Sequence, residues 1–92
     1  MKNLEQIYAD ETSLTAEGLV SVITNCPNLV WIGVLGNDLT GLTIENTNKI
    51  ESYVEKRENT QLLVINDLGV KKIEALEKFC KIHTKKLQVR CR

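Results

Sequence analysis

The stretch Leu29-Val30-Trp31-Ile32-Gly33-Val34-Leu35-Gly36-Asn37-Asp38-Leu39 carries the strongest pattern in the chain. Its residues 29, 32, 34, 37 and 39 fill every slot of the spacing L-x-x-L-x-L-x-x-N-x-L. Side chains alternate along a strand, so Ile32 and Val34 are expected to face one side and Trp31, Gly33 and Leu35 the other. Gly36-Asn37-Asp38 has the composition of a turn, which explains those residues without any ligand.

Moving outward, a shift of 25 residues toward the amino terminus finds Leu4, Ile7, Ala9, Thr12 and Leu14 in the same slots. A shift of 31 in the other direction finds Thr60, Leu63, Ile65, Leu68 and Val70, and a further 24 gives a truncated copy at Thr84, Leu87 and Val89. Units therefore begin near positions 4, 29, 60 and 84 within one domain spanning 1–92. Between them the apolar spacing turns helical: Leu19, Val22, Ile23 and Cys26, then Ile50, Tyr53 and Val54, then Ile73, Leu76, Phe79 and Cys80. Thr15 is placed to cap the first helix and Pro27 to end it. The third helix carries favourable i,i+4 pairs, Glu74 with Lys78 and Glu77 with Lys81.

These features, above all SLTAEGLVSVITNCPNLVWIGVLGNDLTGL at residues 13–42, resemble the leucine-rich repeats of ribonuclease-inhibitor-like proteins and NOD-like receptors. The resemblance spans nearly the whole chain, and residues 14–42 carry its specific part. It implies an α/β leucine-rich-repeat solenoid, a short right-handed arc of about four parallel strands with helices on one face. It also implies a protein-protein interaction module of the cytoplasm, as in the carboxyl-terminal part of an innate-immunity sensor. The family's asparagine, which hydrogen-bonds the turns of neighbouring coils, stands here as Asn37 and is replaced by Thr12 and Leu68. The middle unit carries about six extra residues around Gly41 to Asn48, and neither terminus resembles a polar capping repeat.

A flat three-layer α/β domain with a regulatory or ligand-binding role is the rival, because residues 29–35 form an almost continuous apolar run of the kind buried on both faces. In that fold Trp31 is core, and a ligand sits at the turn after Val34. The unequal spacing recurring in register favours the repeat, as does the shortage of helices to cover both faces of four strands.

In the repeat geometry the outward residues are Gln6, Tyr8 and Asp10, then Trp31, Gly33 and Leu35, then Leu62, Val64 and Asn66, then Lys86, Gln88 and Arg90. Tyr8, Trp31, Leu35, Leu62, Val64, Lys86 and Arg90 are thus the candidate partner-binding residues, with Trp31 as anchor, since tryptophan and tyrosine dominate interface hot spots.

Composition argues against other classes. No apolar run reaches the roughly 18 residues of a membrane span, and the start lacks a signal peptide's order. An odd number of cysteines, Cys26, Cys80 and Cys91, without CxxC spacing, points to a reducing compartment. Cys26 and Cys80 read as buried, and Cys91 as available for oxidation. Phosphate loops, dinucleotide fingerprints and HExxH are absent. The single histidine, His83, sits by a helix end with the dipole as sufficient explanation. No catalytic residue, metal or cofactor is expected.

Residues 1–70 hold ten acids against four bases, and residues 71–92 two against eight. The basic segment lacks interleaved aromatic residues, so a solvated face fits it better than nucleic-acid binding. The opposed charges suit head-to-tail self-association, or attachment to further repeats if the chain is the terminal piece of a longer protein.

Overall fold

A computed structural model describes residues 4–58, 61–67 and 73–91. Strands and helices alternate in the order β1 (Gln6–Tyr8), α1 (Ala16–Asn25), β2 (Trp31–Gly33), α2 (Ile44–Glu55), β3 (Leu62–Asn66), α3 (Glu74–Phe79) and β4 (Leu87–Cys91). The four strands form one parallel sheet in sequence order, each beside the next. Helix α1 packs on α2 and α2 on α3, so the helices make a single layer. The fold is therefore two-layered, and the three-layer arrangement does not form among the described residues.

Local chemistry sets the helix bounds. Thr15 accepts a hydrogen bond from the Gly18 amide at 3.1 Å, the N-cap expected of it. Pro27 follows the C-cap Cys26. The extra residues of the middle unit lead into a second cap, where Thr43 and Asn46 exchange reciprocal side-chain-to-backbone bonds before α2. Helix α3 forms where the i,i+4 pairs place it but is the shortest at 6 residues, ending before Lys81, and its N-cap Ile73 offers no side-chain acceptor.

The core lies between the layers. Leu19 and Ile23 of α1, Ile50 and Val54 of α2, and Leu76 and Phe79 of α3 are buried against Ile32, Val34, Leu62, Val64, Leu87 and Val89. Each such aliphatic side chain contributes about 1.5–3 kcal/mol by leaving water.

The register corrects the third unit. Gln6 lies beside Trp31, Trp31 beside Leu63, and Leu63 beside Gln88, which places the offsets at 25, 32 and 25 residues. The expected offsets of 31 and 24 are each one short. A slip of one residue exchanges the two faces of a strand. Leu62 and Val64, expected outside, are 1% and 0% exposed in the core, as is Asn66 at 0%. Leu63 and Ile65 take the outward positions. The two slips sum to an even number, so the inward Leu87 and Val89 and the outward Gln88 and Arg90 of β4 are as expected. Thr60, Leu68 and Val70, counted in the third unit from sequence, lie outside the described residues.

Two polar side chains tie the first units together. The Asn37 side-chain amide donates to the carbonyls of Ala9 at 2.6 Å and Val34 at 3.1 Å. Its oxygen accepts from the amides of Thr12 at 3.1 Å and Leu14 at 2.9 Å. The turn that Asn37 braces holds two non-glycine residues in the left-handed region, Glu11 (φ 55°) and Ser13 (φ 61°). Arg57, just beyond α2, is 8% exposed and donates to the carbonyls of Leu29 at 2.6 Å, Cys26 at 3.0 Å and Ile23 at 3.3 Å. It thereby satisfies the carbonyl end of α1. Burial lowers its pKa, an effect opposed by the nearby Tyr53 and Cys26.

At the other end Cys91 is not free. Its place in β4 turns its side chain to the helix layer, where it forms a disulfide with Cys80, the C-cap of α3. Cys26 stays a buried thiol, as expected, whereas Cys80 is only half-buried. His83 is exposed and lies beyond the helix end, in a segment that folds back along β4 through an antiparallel bridge to Gln88.

Candidate interaction face

The sheet face turned away from the helices carries Gln6, Trp31, Leu63 and Gln88 in one row and Tyr8, Gly33, Ile65 and Arg90 in the next. Leu35 follows in β2's outward series and is half-buried. Among the described residues no helix covers this face.

Its aromatic centre is built by a glycine. A Cβ at Gly33 would meet Trp31 Cη2 at 2.8 Å, so only glycine leaves room for the indole to lie across β2. The ring then meets Tyr8 with centroids 4.8 Å apart at 46°, within the favoured range for tilted aromatic pairs. Trp31 is half-buried by this contact, while Tyr8 is 74% exposed and its hydroxyl donates to Gln6 Oε1 at 3.1 Å. Leu35, Leu63 and Ile65 continue the apolar surface beside them.

The top of the face is clamped by two carboxylates. Asp10 Oδ1 accepts the Leu35 amide at 2.7 Å, and Asp67 Oδ2 accepts the Gly36 amide at 3.0 Å. Gly36 takes a φ of 71°, which needs a glycine.

Of the residues singled out from sequence, Tyr8, Trp31, Leu35 and Arg90 lie on this face. Leu62 and Val64 do not. Lys86 is half-buried, and its ammonium donates to the Glu55 carbonyl at the end of α2 at 3.2 Å, so it is engaged as a helix-end partner. Leu63 and Ile65, placed in the inward slots from sequence, take this face instead, because the offset to β3 is 32 residues and not 31. Arg57 and the clamping Asp67 carried no periodic signal.

An open cleft of about 550 Å³ lies under the start of the strands, lined by Val30, Leu63, Gln61 and Gln88 among others. No group of three or more His, Cys, Asp or Glu side chains among the described residues is placed to hold a metal ion. No helix among them is long and apolar enough to cross a membrane. The chain matches no family model, no curated protein and no solved structure.

Proposed function

We propose that the chain is a non-catalytic protein-protein interaction module, a short leucine-rich-repeat solenoid that binds a protein partner on its uncovered strand face. The observation that carries this reading is the Tyr8–Trp31 pair, seated over Gly33 with Tyr8 exposed, on a face that no helix covers among the described residues. A contiguous apolar surface of this kind marks a contact site, and its aromatic centre is the composition of an interface hot spot. In-order parallel strands, one helix layer and Asn37 bonded to the backbone of the preceding unit support the solenoid. The module would serve as part of a NOD-like-receptor type sensor, with the Cys80–Cys91 disulfide setting an oxidising compartment against the reducing one the cysteine count suggested. Its binding residues are Tyr8, Trp31, Leu35, Leu63, Ile65 and Arg90.

The test is a paired truncation. Trp31→Ala with Leu63→Ala should abolish capture of the protein partner from cytosolic extract while circular dichroism and cooperative unfolding persist. Undiminished capture by the folded double variant would contradict the assignment.

A further inference from the structure

The two ends of the sheet differ in what their outer backbone edges offer. In a parallel pair alternate residues send both backbone groups to the same neighbour. The Glu5 carbonyl accepts from Trp31 and the Ala9 amide donates to the Gly33 carbonyl, so Glu5, Ile7 and Ala9 face β2. Gln6 and Tyr8 consequently turn their amides and carbonyls away from the sheet, and no other described residue bonds them. On β4 the outward residues are Leu87, Val89 and Cys91, and two of these are already engaged. The Leu87 carbonyl accepts from the Thr84 amide at 2.8 Å, the Leu87 amide donates to Thr84 Oγ1 at 3.0 Å, and the Val89 amide donates to the Ile82 carbonyl at 3.1 Å. The returning segment Ile82–Thr84 thus closes the β4 edge over Leu87 and the Val89 amide, and among the described residues β1 keeps the open one.

The open edge also lies in the acidic half of the molecule. Residues 3–48 contain six acids and no Lys, Arg or His. Glu5 and Glu11 flank β1 and are exposed, as is Glu17 on α1. An unpaired strand edge recognises an extended peptide by backbone hydrogen bonds, and one rimmed by a single sign of charge selects the opposite sign in its partner. We propose that the β1 edge is a docking site for an extended, basic segment of a partner protein, which adds to the sheet as a fifth strand beside Gln6–Tyr8. The site is distinct from the strand face and stands or falls independently of it.

The edge also bears on assembly. Among the described residues a second copy of this chain offers no matching open edge on its basic side, since β4 is closed over Leu87 and the Val89 amide. Two β1 edges meeting would bring Glu5 and Glu11 of both copies together. A second copy of this chain is therefore not the occupant proposed.

The probe is a short peptide alternating lysine and threonine, with the same peptide carrying glutamate for lysine as the control. Binding of the lysine peptide should protect the amides of Gln6 and Tyr8 from hydrogen exchange and weaken as salt is added. Gln6→Pro removes one outward amide at a position where an edge strand tolerates proline, and should weaken binding about tenfold. Glu5→Lys with Glu11→Lys, which leaves the backbone edge intact, should reverse the preference between the two peptides. The face variant Trp31→Ala with Leu63→Ala should still bind the lysine peptide, which separates failure of this site from failure of the face. Equal binding of both peptides, protection confined to β4, or a concentration-dependent dimer protecting Gln6 and Tyr8 without peptide would each overturn the proposal.

Discussion

The first and last strands of this sheet are held in place by different chemistry. Strand β1 is fastened by polar side chains reaching across from the second unit, with Asn37 bonding the backbone of Ala9, Thr12 and Leu14, and Asp10 returning a bond to Leu35. Strand β4 is fastened by a covalent link from Cys91 to Cys80 and by the returning segment Ile82–Thr84. The first device leaves the outer edge free, because every bond it makes points into the sheet. The second spends the outer edge in securing the strand. An end secured from inside can still accept another chain, and an end secured from outside cannot.

Removing the inner fastening should have the largest effect. Asn37→Ala orphans the Thr12 and Leu14 amides and the Val34 carbonyl, and leaves the Ala9 carbonyl only the Thr12 hydroxyl, at a turn that already holds Glu11 and Ser13 at positive φ, and should cost about 3 kcal/mol. Denaturant unfolding measures the loss, and exchange at Thr12 and Leu14 should rise before exchange at β4. A loss confined to β4 would mean the two ends are not separately held.

Opening the covalent fastening comes next. Cys91→Ser, or reduction of the wild type, releases a loop of 11 residues and should destabilise the fold by about 3 kcal/mol or somewhat less. The effect should appear at β4 and α3 and leave the exchange of β1 unchanged. A reading of cysteines from sequence could not supply this pair, because an odd count without CxxC spacing is silent on which two meet. The alternation along β4 places Cys91 on the helix side, but its partner is fixed only by where α3 ends.

A third contrast tests the corrected register. Leu62→Ala should cost about 2–5 kcal/mol as a core cavity, whereas Leu63→Ala on the open face should change stability by less than about 1 kcal/mol. Equal losses would return the strand to the other register. The spacing around Trp31 read correctly because each slot was filled by the expected residue type and the preceding offset of 25 held. It misread β3 because four consecutive apolar residues, Leu62 to Ile65, satisfy either register equally well. Local alternation cannot break that tie. Pairing with β2 does, through the bond from the Leu63 amide to the Val30 carbonyl and from the Val34 amide to the Ile65 carbonyl.

Smaller effects probe the outer fastening and the aromatic seat. Thr84→Val removes the hydroxyl that pairs with the Leu87 amide and should cost about 1 kcal/mol, with faster exchange at Leu87 alone. Gly33→Ala puts a methyl group where the indole lies, so Trp31 must move. The expected stability change is about 1–2 kcal/mol, with a red shift in Trp31 emission as the ring leaves Tyr8. Unchanged emission would show that the pair does not depend on the glycine.

The Asn37 bridge and the first helix cap were legible because they lie in the one stretch where spacing, turn chemistry and capping agree, whereas the seat that Gly33 makes for the indole shows only in the structure. Arg57 was not legible. A basic pair after a helix, Lys56-Arg57, reads as solvated, and only the packing of α2 beside α1 brings Arg57 to the carbonyls of Ile23, Cys26 and Leu29. The same holds for Asp67, whose role depends on the turn of a different unit.

The asymmetry of the two edges is most directly tested by residue-resolved hydrogen exchange on the native, oxidised protein at low concentration. The amides of Gln6 and Tyr8 should exchange as freely as exposed backbone, while those of Leu87 and Val89 should be protected. Comparable protection at Gln6 and Tyr8 would contradict the account, since it would mean that the β1 edge is already occupied.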